Sequence, residues 1–82
     1  MPTVLTIGGA RVAIYTSDHR PAHVHVWDAG KVAVFNLNCP KGPVELRENY
    51  GFSWREANRL AKAIQVHVEV MCATWRAIHG SD

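Results

Sequence analysis

The chain has 82 residues, 48% hydrophobic and 20% charged, which fits one globular domain with a modest core and excludes a disordered chain. The formal net charge of +2 is too small to imply nucleic acid by itself, and no apolar run reaches the roughly 18–20 residues a membrane helix needs. The N-terminus lacks the basic-then-apolar layout of a signal peptide, so a cytoplasmic location is expected; Cys39 and Cys72, outside any Cys-x-x-Cys pair, are expected as reduced thiols.

Residues 3–7 and 11–16 are short, β-branched and apolar, and Gly8-Gly9-Ala10 between them is hairpin punctuation. Residues 17–22 form a connection, because Pro21 cannot donate to a ladder and holds Arg20 extended. Residues 23–28 then alternate, and Ala29-Gly30 turns the chain into a fourth strand at 31–37. A two-residue loop there sets Trp27 opposite Val32, His25 opposite Val34 and His23 opposite Asn36. Val24, Val26, Ala33, Phe35 and Leu37 form the other, purely apolar face, which is the natural core face. The first face is less polar than a plain solvent face, so something is expected to cover part of it.

Residues 38–52 read as irregular, broken by Pro40, Gly42 and Pro43, with room for one short turn or strand at Val44-Glu45-Leu46. Gly51 is expected to hold a backbone conformation that a Cβ would penalise. Ser53-Trp54-Arg55-Glu56 has the form of a capping box, and an amphipathic stripe running from Trp54 through Ala57, Ala61, Ile64, Val68, Met71 and Trp75 to Ile78 predicts a helix over 54–79, ended by Gly80. The expected fold is α+β: a four-stranded antiparallel β-meander packed against one long C-terminal α-helix, in a single domain over residues 1–82. Such a helix would be roughly 38 Å long against strands of about 20 Å, so it must overhang or bend. Val66, Val70, Cys72 and Ala73 make its second half apolar around most of its circumference, which points to self-association or a protein partner.

His19, His23 and His25 are the chemically unusual cluster. Two imidazoles two residues apart on a strand share a face with Cα atoms roughly 7 Å apart, a spacing that can chelate a zinc-like divalent ion. Here His19 would supply a third nitrogen, and Asp18 or Asp28 an oxygen ligand or an orienting hydrogen bond. The alternative is that the histidines hydrogen-bond the connection or contact a partner. No nucleophile accompanies them, so no catalytic residue is assigned. His-Val-His-Val resembles half of the histidine-triad hydrolase motif, but Trp27 stands where the third histidine is needed; the glutamate that follows His-x-His in cupins is missing too. Arg55, Arg59 and Lys62 form one basic helix stripe, which reads either as solvated charge or as a nucleic-acid contact.

Several stretches together resemble one family. Met1-Pro2-Thr3-Val4-Leu5, the stretch from His19 to Val26 with its Pro-x-His-Val-His-Val, Pro43-Val44-Glu45-Leu46, and Asn49-Tyr50-Gly51-Phe52-Ser53 followed by Glu56 are similar in order and spacing to the small bacterial proteins grouped as domain of unknown function 4160. That resemblance implies a place in toxin–antitoxin-like gene pairs or phage and host-defence settings, and it transfers no catalytic residue. The expectation is therefore a small protein-binding or inhibitory module, dimeric, without a cofactor. Its contacts would be His23, His25, Trp27, Val32 and Val34 on the sheet and Val66, Val70 and Trp75 on the helix. A histidine- or metal-dependent ribonuclease-type toxin and a non-catalytic nucleic-acid binder are the alternatives.

Overall fold

The computed structural model describes residues 3–80; Met1, Pro2, Ser81 and Asp82, which the expected domain span includes, lie outside the described residues, as do the first two residues of the family resemblance. Among the described residues, strands β1 (Thr3–Ile7), β2 (Ala10–Ala13), β3 (His23–Asp28), β4 (Lys31–Asn36) and β5 (Glu45–Tyr50) form one antiparallel sheet in chain order. Helices α1 (Trp54–Val66) and α2 (Val68–His79) follow. The class is α+β as expected, with five strands instead of four and two helices instead of one.

The β3–β4 hairpin has the expected register, with His23 opposite Asn36, His25 opposite Val34 and Trp27 opposite Val32. Ala29 and Gly30 both take positive φ, 49° and 80°, the conformation that matches a two-residue turn to the twist of its strands. Strand β2 stops at Ala13 rather than at Thr16, because the next amides leave the ladder: Tyr15 N–H donates to Asp18 Oδ2 at 3.1 Å, and Asp18 N–H returns to the Tyr15 carbonyl. The unexpected strand is β5, an edge strand in which Leu46 packs on the core and Glu45, Arg47, Asn49 and Tyr50 are exposed.

Val12, Val24, Val26, Ala33, Phe35 and Leu37 line the inner sheet face, and Leu60, Ile64, Val68, Met71 and Trp75 close the core from the helices. A straight 26-residue helix of roughly 38 Å would outrun the molecule, whose longest extent is 33 Å. The break falls at His67, where the amide bonds to the Ile64 carbonyl in a tightened turn and α2 starts afresh.

The irregular segment 38–44 is fastened to both helices. Gln65 accepts the Val44 amide and donates to the Lys41 carbonyl. Cys39 is disulfide-bonded to Cys72 of α2, their Cα atoms 5.8 Å apart, which corrects the expectation of reduced thiols. Neither cysteine's sequence neighbours point to the other; the contact exists only because this segment folds back on α2. Among the described residues no helix is long and apolar enough to cross a membrane.

The capping box forms as expected, with Ser53 Oγ accepting the Glu56 amide and the Glu56 carboxylate accepting the Ser53 amide. Gly51, at φ 106°, sits where a Cβ would come within 2.9 Å of Lys31 Cγ. The Ser53 amide, then the Lys31 ammonium at 2.9 Å, hold the Glu56 carboxyl down at about 2 from its ordinary 4.5. Because the folded-state value is the lower one, the stabilisation from Glu56 is complete above pH 4.5 and is lost as pH falls toward 2. Acid titration of the unfolding midpoint is expected to show this loss in the wild type and a shallower one in Glu56→Gln.

Candidate functional site

The outer sheet face, opposite α1 and reached at its edge by the end of α2, carries Arg11, Ala13, His23, His25, Trp27, Val32 and Val34. The chain covers part of it with its own β2–β3 connection. The Tyr15 ring lies 4.3 Å from the His25 ring and stacks at 6.4 Å on Trp27. Behind it, Asp18 reaches both histidines: its carboxylate oxygens are 3.1 and 3.2 Å from His25 Nε2, and one is 3.5 Å from His23 Nε2. Burial, and secondarily the Asp18 charge, push the Tyr15 phenol above its ordinary value of 10.0.

Ring-nitrogen roles follow from the partners. Pro21 offers only a carbonyl, so His23 Nδ1–H donates to it at 2.8 Å and Nε2 is the ring nitrogen that faces Asp18. An ionised carboxylate only accepts, so His25 Nε2–H donates to Asp18. On the other side of His23 stands Trp75, with ring centroids 5.3 Å apart, and His79 stacks on Trp75 at 4.0 Å while its Nε2–H donates to the Tyr15 carbonyl.

This arrangement revises the expected ligand set. Asp18, His23 and His25 each place one ligand atom within 4.8 Å of the others, and His19 is exposed and belongs to no such group among the described residues. The expected docking surface is revised too. His23 is 5% exposed and Val34 6%, while Trp75 is fully buried in the core, so these three are not free contact residues. The apolar groups that remain accessible on the sheet are Trp27, in part, Val32, and Tyr50 beside Val32 in the register.

On the helices, Val66 is 79% and Val70 63% exposed, as a contact surface requires. Ala73 and Ala77 are also exposed, so Val70, Ala73 and Ala77 share the side of α2 away from the core, and Val66 stands exposed at the end of α1 before the break at His67. Arg55, Arg59 and Lys62 line an open concavity with Ser53, Asn58 and Trp54. Trp54, expected in the buried stripe, is 72% exposed instead, because the core-facing positions of the first turns are Ala57 and Leu60. The histidines occupy the opposite sheet face from α1, so the basic stripe and the histidine cluster are not joined in one site.

The family model for a domain of unknown function (DUF4160) matches residues 9–76, most of the chain, and the chain belongs to that family. No curated protein and no solved structure is detectably similar to it.

Proposed function

We propose that this DUF4160 protein is a small protein-docking module that self-associates through the outer face of α2 and acts by binding another protein. The observation that carries the reading is the exposed row Val70, Ala73 and Ala77 on α2, spaced three and four residues apart as in a helix–helix seam, with exposed Val66 at the end of α1 before it. A helix already buried by Val68, Met71, Cys72 and Trp75 needs no second apolar face for its own fold. Exposed valines on consecutive turns are instead the mark of a covered surface.

A second copy fits this stripe. Antiparallel pairing of α2 about a two-fold axis between residues 71 and 72 sets Val70 of one copy against Ala73 of the other, with the alanines allowing close approach. Glu69 and Arg76 flank the stripe on one side, so the same pairing brings opposite charges together across the seam. The setting we infer, a toxin–antitoxin-like or phage-defence pair in which the module inhibits its target, rests on the family resemblance. Val32, Trp27 and Tyr50 on the sheet remain for that second partner.

Val70→Glu tests the reading. The residue is exposed, so the monomer is expected to fold normally, while an isologous seam would bury the new carboxylate twice and raise the dimer dissociation constant by at least about 100-fold. Light scattering reads the change. An unchanged mass for this variant at every concentration would remove the seam from the account.

A second reading, single-stranded nucleic-acid binding, is favoured by one observation. Exposed Trp54 offers a stacking face beside Arg55, Arg59 and Lys62, the combination that sequence-tolerant strand binders use.

A further inference from the structure

The cluster on the outer sheet face has a use that docking does not absorb. We propose that Asp18, His23 and His25 form a binding site for one zinc-like divalent cation, with two imidazole nitrogens and one carboxylate oxygen as ligands and a fourth position open.

The first argument is geometric. Ligands about 2.0–2.1 Å from a tetrahedral ion lie roughly 3.4 Å from one another. Asp18 Oδ2 stands 3.1 Å from His25 Nε2 and 3.5 Å from His23 Nε2, and all three ligand atoms lie within 4.8 Å. A small closing movement of exposed-side atoms would seat an ion between them.

The second argument is how His23 is aimed. The Pro21 carbonyl accepts from His23 Nδ1, which turns Nε2 toward the Asp18 carboxylate in a pocket where the His23 side chain is 6% and the Asp18 side chain 13% exposed. Beside His23 in the register, Asn36 Oδ1 is buried without a hydrogen-bond partner among the described residues. A cation placed where Nε2 meets the carboxylate would be held by both groups at low exposure. His25 needs only to move its proton from Nε2 to Nδ1, so both imidazoles enter neutral and Asp18 enters ionised.

The third is support behind the ligands. The Pro21 carbonyl orients His23, the Tyr15 amide holds Asp18 Oδ2, and the Tyr15 ring packs against His25, which are the contacts that fix metal ligands in place. The His25 side chain, 21% exposed, marks the side on which the fourth position opens to solvent. Three protein ligands with one open position is the pattern that leaves room for a water or an anionic ligand.

The experiment uses the full chain with its disulfide intact, stripped by a chelator, then titrated with Zn²⁺ by calorimetry and with Co²⁺ by visible absorption. One ion per chain is expected, with the intense visible bands of a four-coordinate Co²⁺ site. Asp18→Asn keeps an acceptor for the Tyr15 amide, and His25→Gln alters a side chain that is 21% exposed, so circular dichroism should show both folded. Each is expected to weaken Zn²⁺ binding by at least about 100-fold, beyond the 10–100-fold effect usual for an outer contact. His19→Ala is expected to leave it unchanged. The proposal is overturned by the lack of saturable one-to-one binding, by equal affinity in the wild type and both ligand variants, or by loss of binding in His19→Ala.

Discussion

Trp75→Ala is expected to destabilise the protein by about 3–5 kcal/mol, enough to remove most of the stability of a domain this size, which is roughly 4–12 kcal/mol. Trp75 is fully buried and is the largest side chain of the core. Its ring also spans two layers, touching His23 of β3 and stacking on His79 within α2. Alanine would leave a cavity between the end of the sheet and α2 that neither rigid element can collapse to fill. Urea unfolding followed by far-ultraviolet circular dichroism measures the loss. Trp75→Phe, which keeps an aromatic in the layer, should recover a large part of it. A surface residue at this position would show less than about 0.5 kcal/mol for either variant.

Breaking the Cys39–Cys72 bond is the second large effect. The bond closes a loop of sequence separation 33, and the chain entropy it removes from the unfolded state corresponds to roughly 3–4 kcal/mol. It also joins the segment after β4 to α2, whereas Gln65 fastens the far end of that segment to α1. Replacing both cysteines by serine, or adding reductant to the wild type, is expected to lower the urea midpoint by roughly 2–3 M. Two titratable thiols in the untreated protein, with a midpoint insensitive to reductant, would show that the bond is not formed in solution.

What the sequence made legible depends on whether the deciding interaction is local. Alternation in His23 to Leu37 and the Ala29-Gly30 turn carry their own register, and the register found is the one they imply. Ser53 and Glu56 satisfy each other's backbone within one turn, so the start of α1 is also readable. By contrast β5, Glu-Leu-Arg-Glu-Asn-Tyr, has the polarity of a loop, because this edge strand only half-buries Leu46 and Glu48 and exposes the rest. The helix break at His67 has no proline or glycine to announce it; only the mismatch between helix and strand length hinted that the helix must bend.

The candidate site was half legible for the same reason. His23 and His25 share a face by strand period, but the residue that completes the cluster comes from a turn. The turn aims Asp18 inward, through its bonds to the Tyr15 backbone, and leaves His19 outside. Trp54 and Trp75 share the apolar stripe in the sequence, yet the first turns of α1 face the core with Ala57 and Leu60 and leave Trp54 exposed, while Trp75 is buried against His23. The Cys39–Cys72 contact, 33 residues apart in sequence, left no local pattern to read.

The central claim, self-association through the outer face of α2, is tested most directly by the mass of the wild-type protein in solution over a wide concentration range. Multi-angle light scattering is expected to show a two-chain particle at high concentration, dissociating on dilution. A strict single-chain mass throughout, up to millimolar protein, would contradict it.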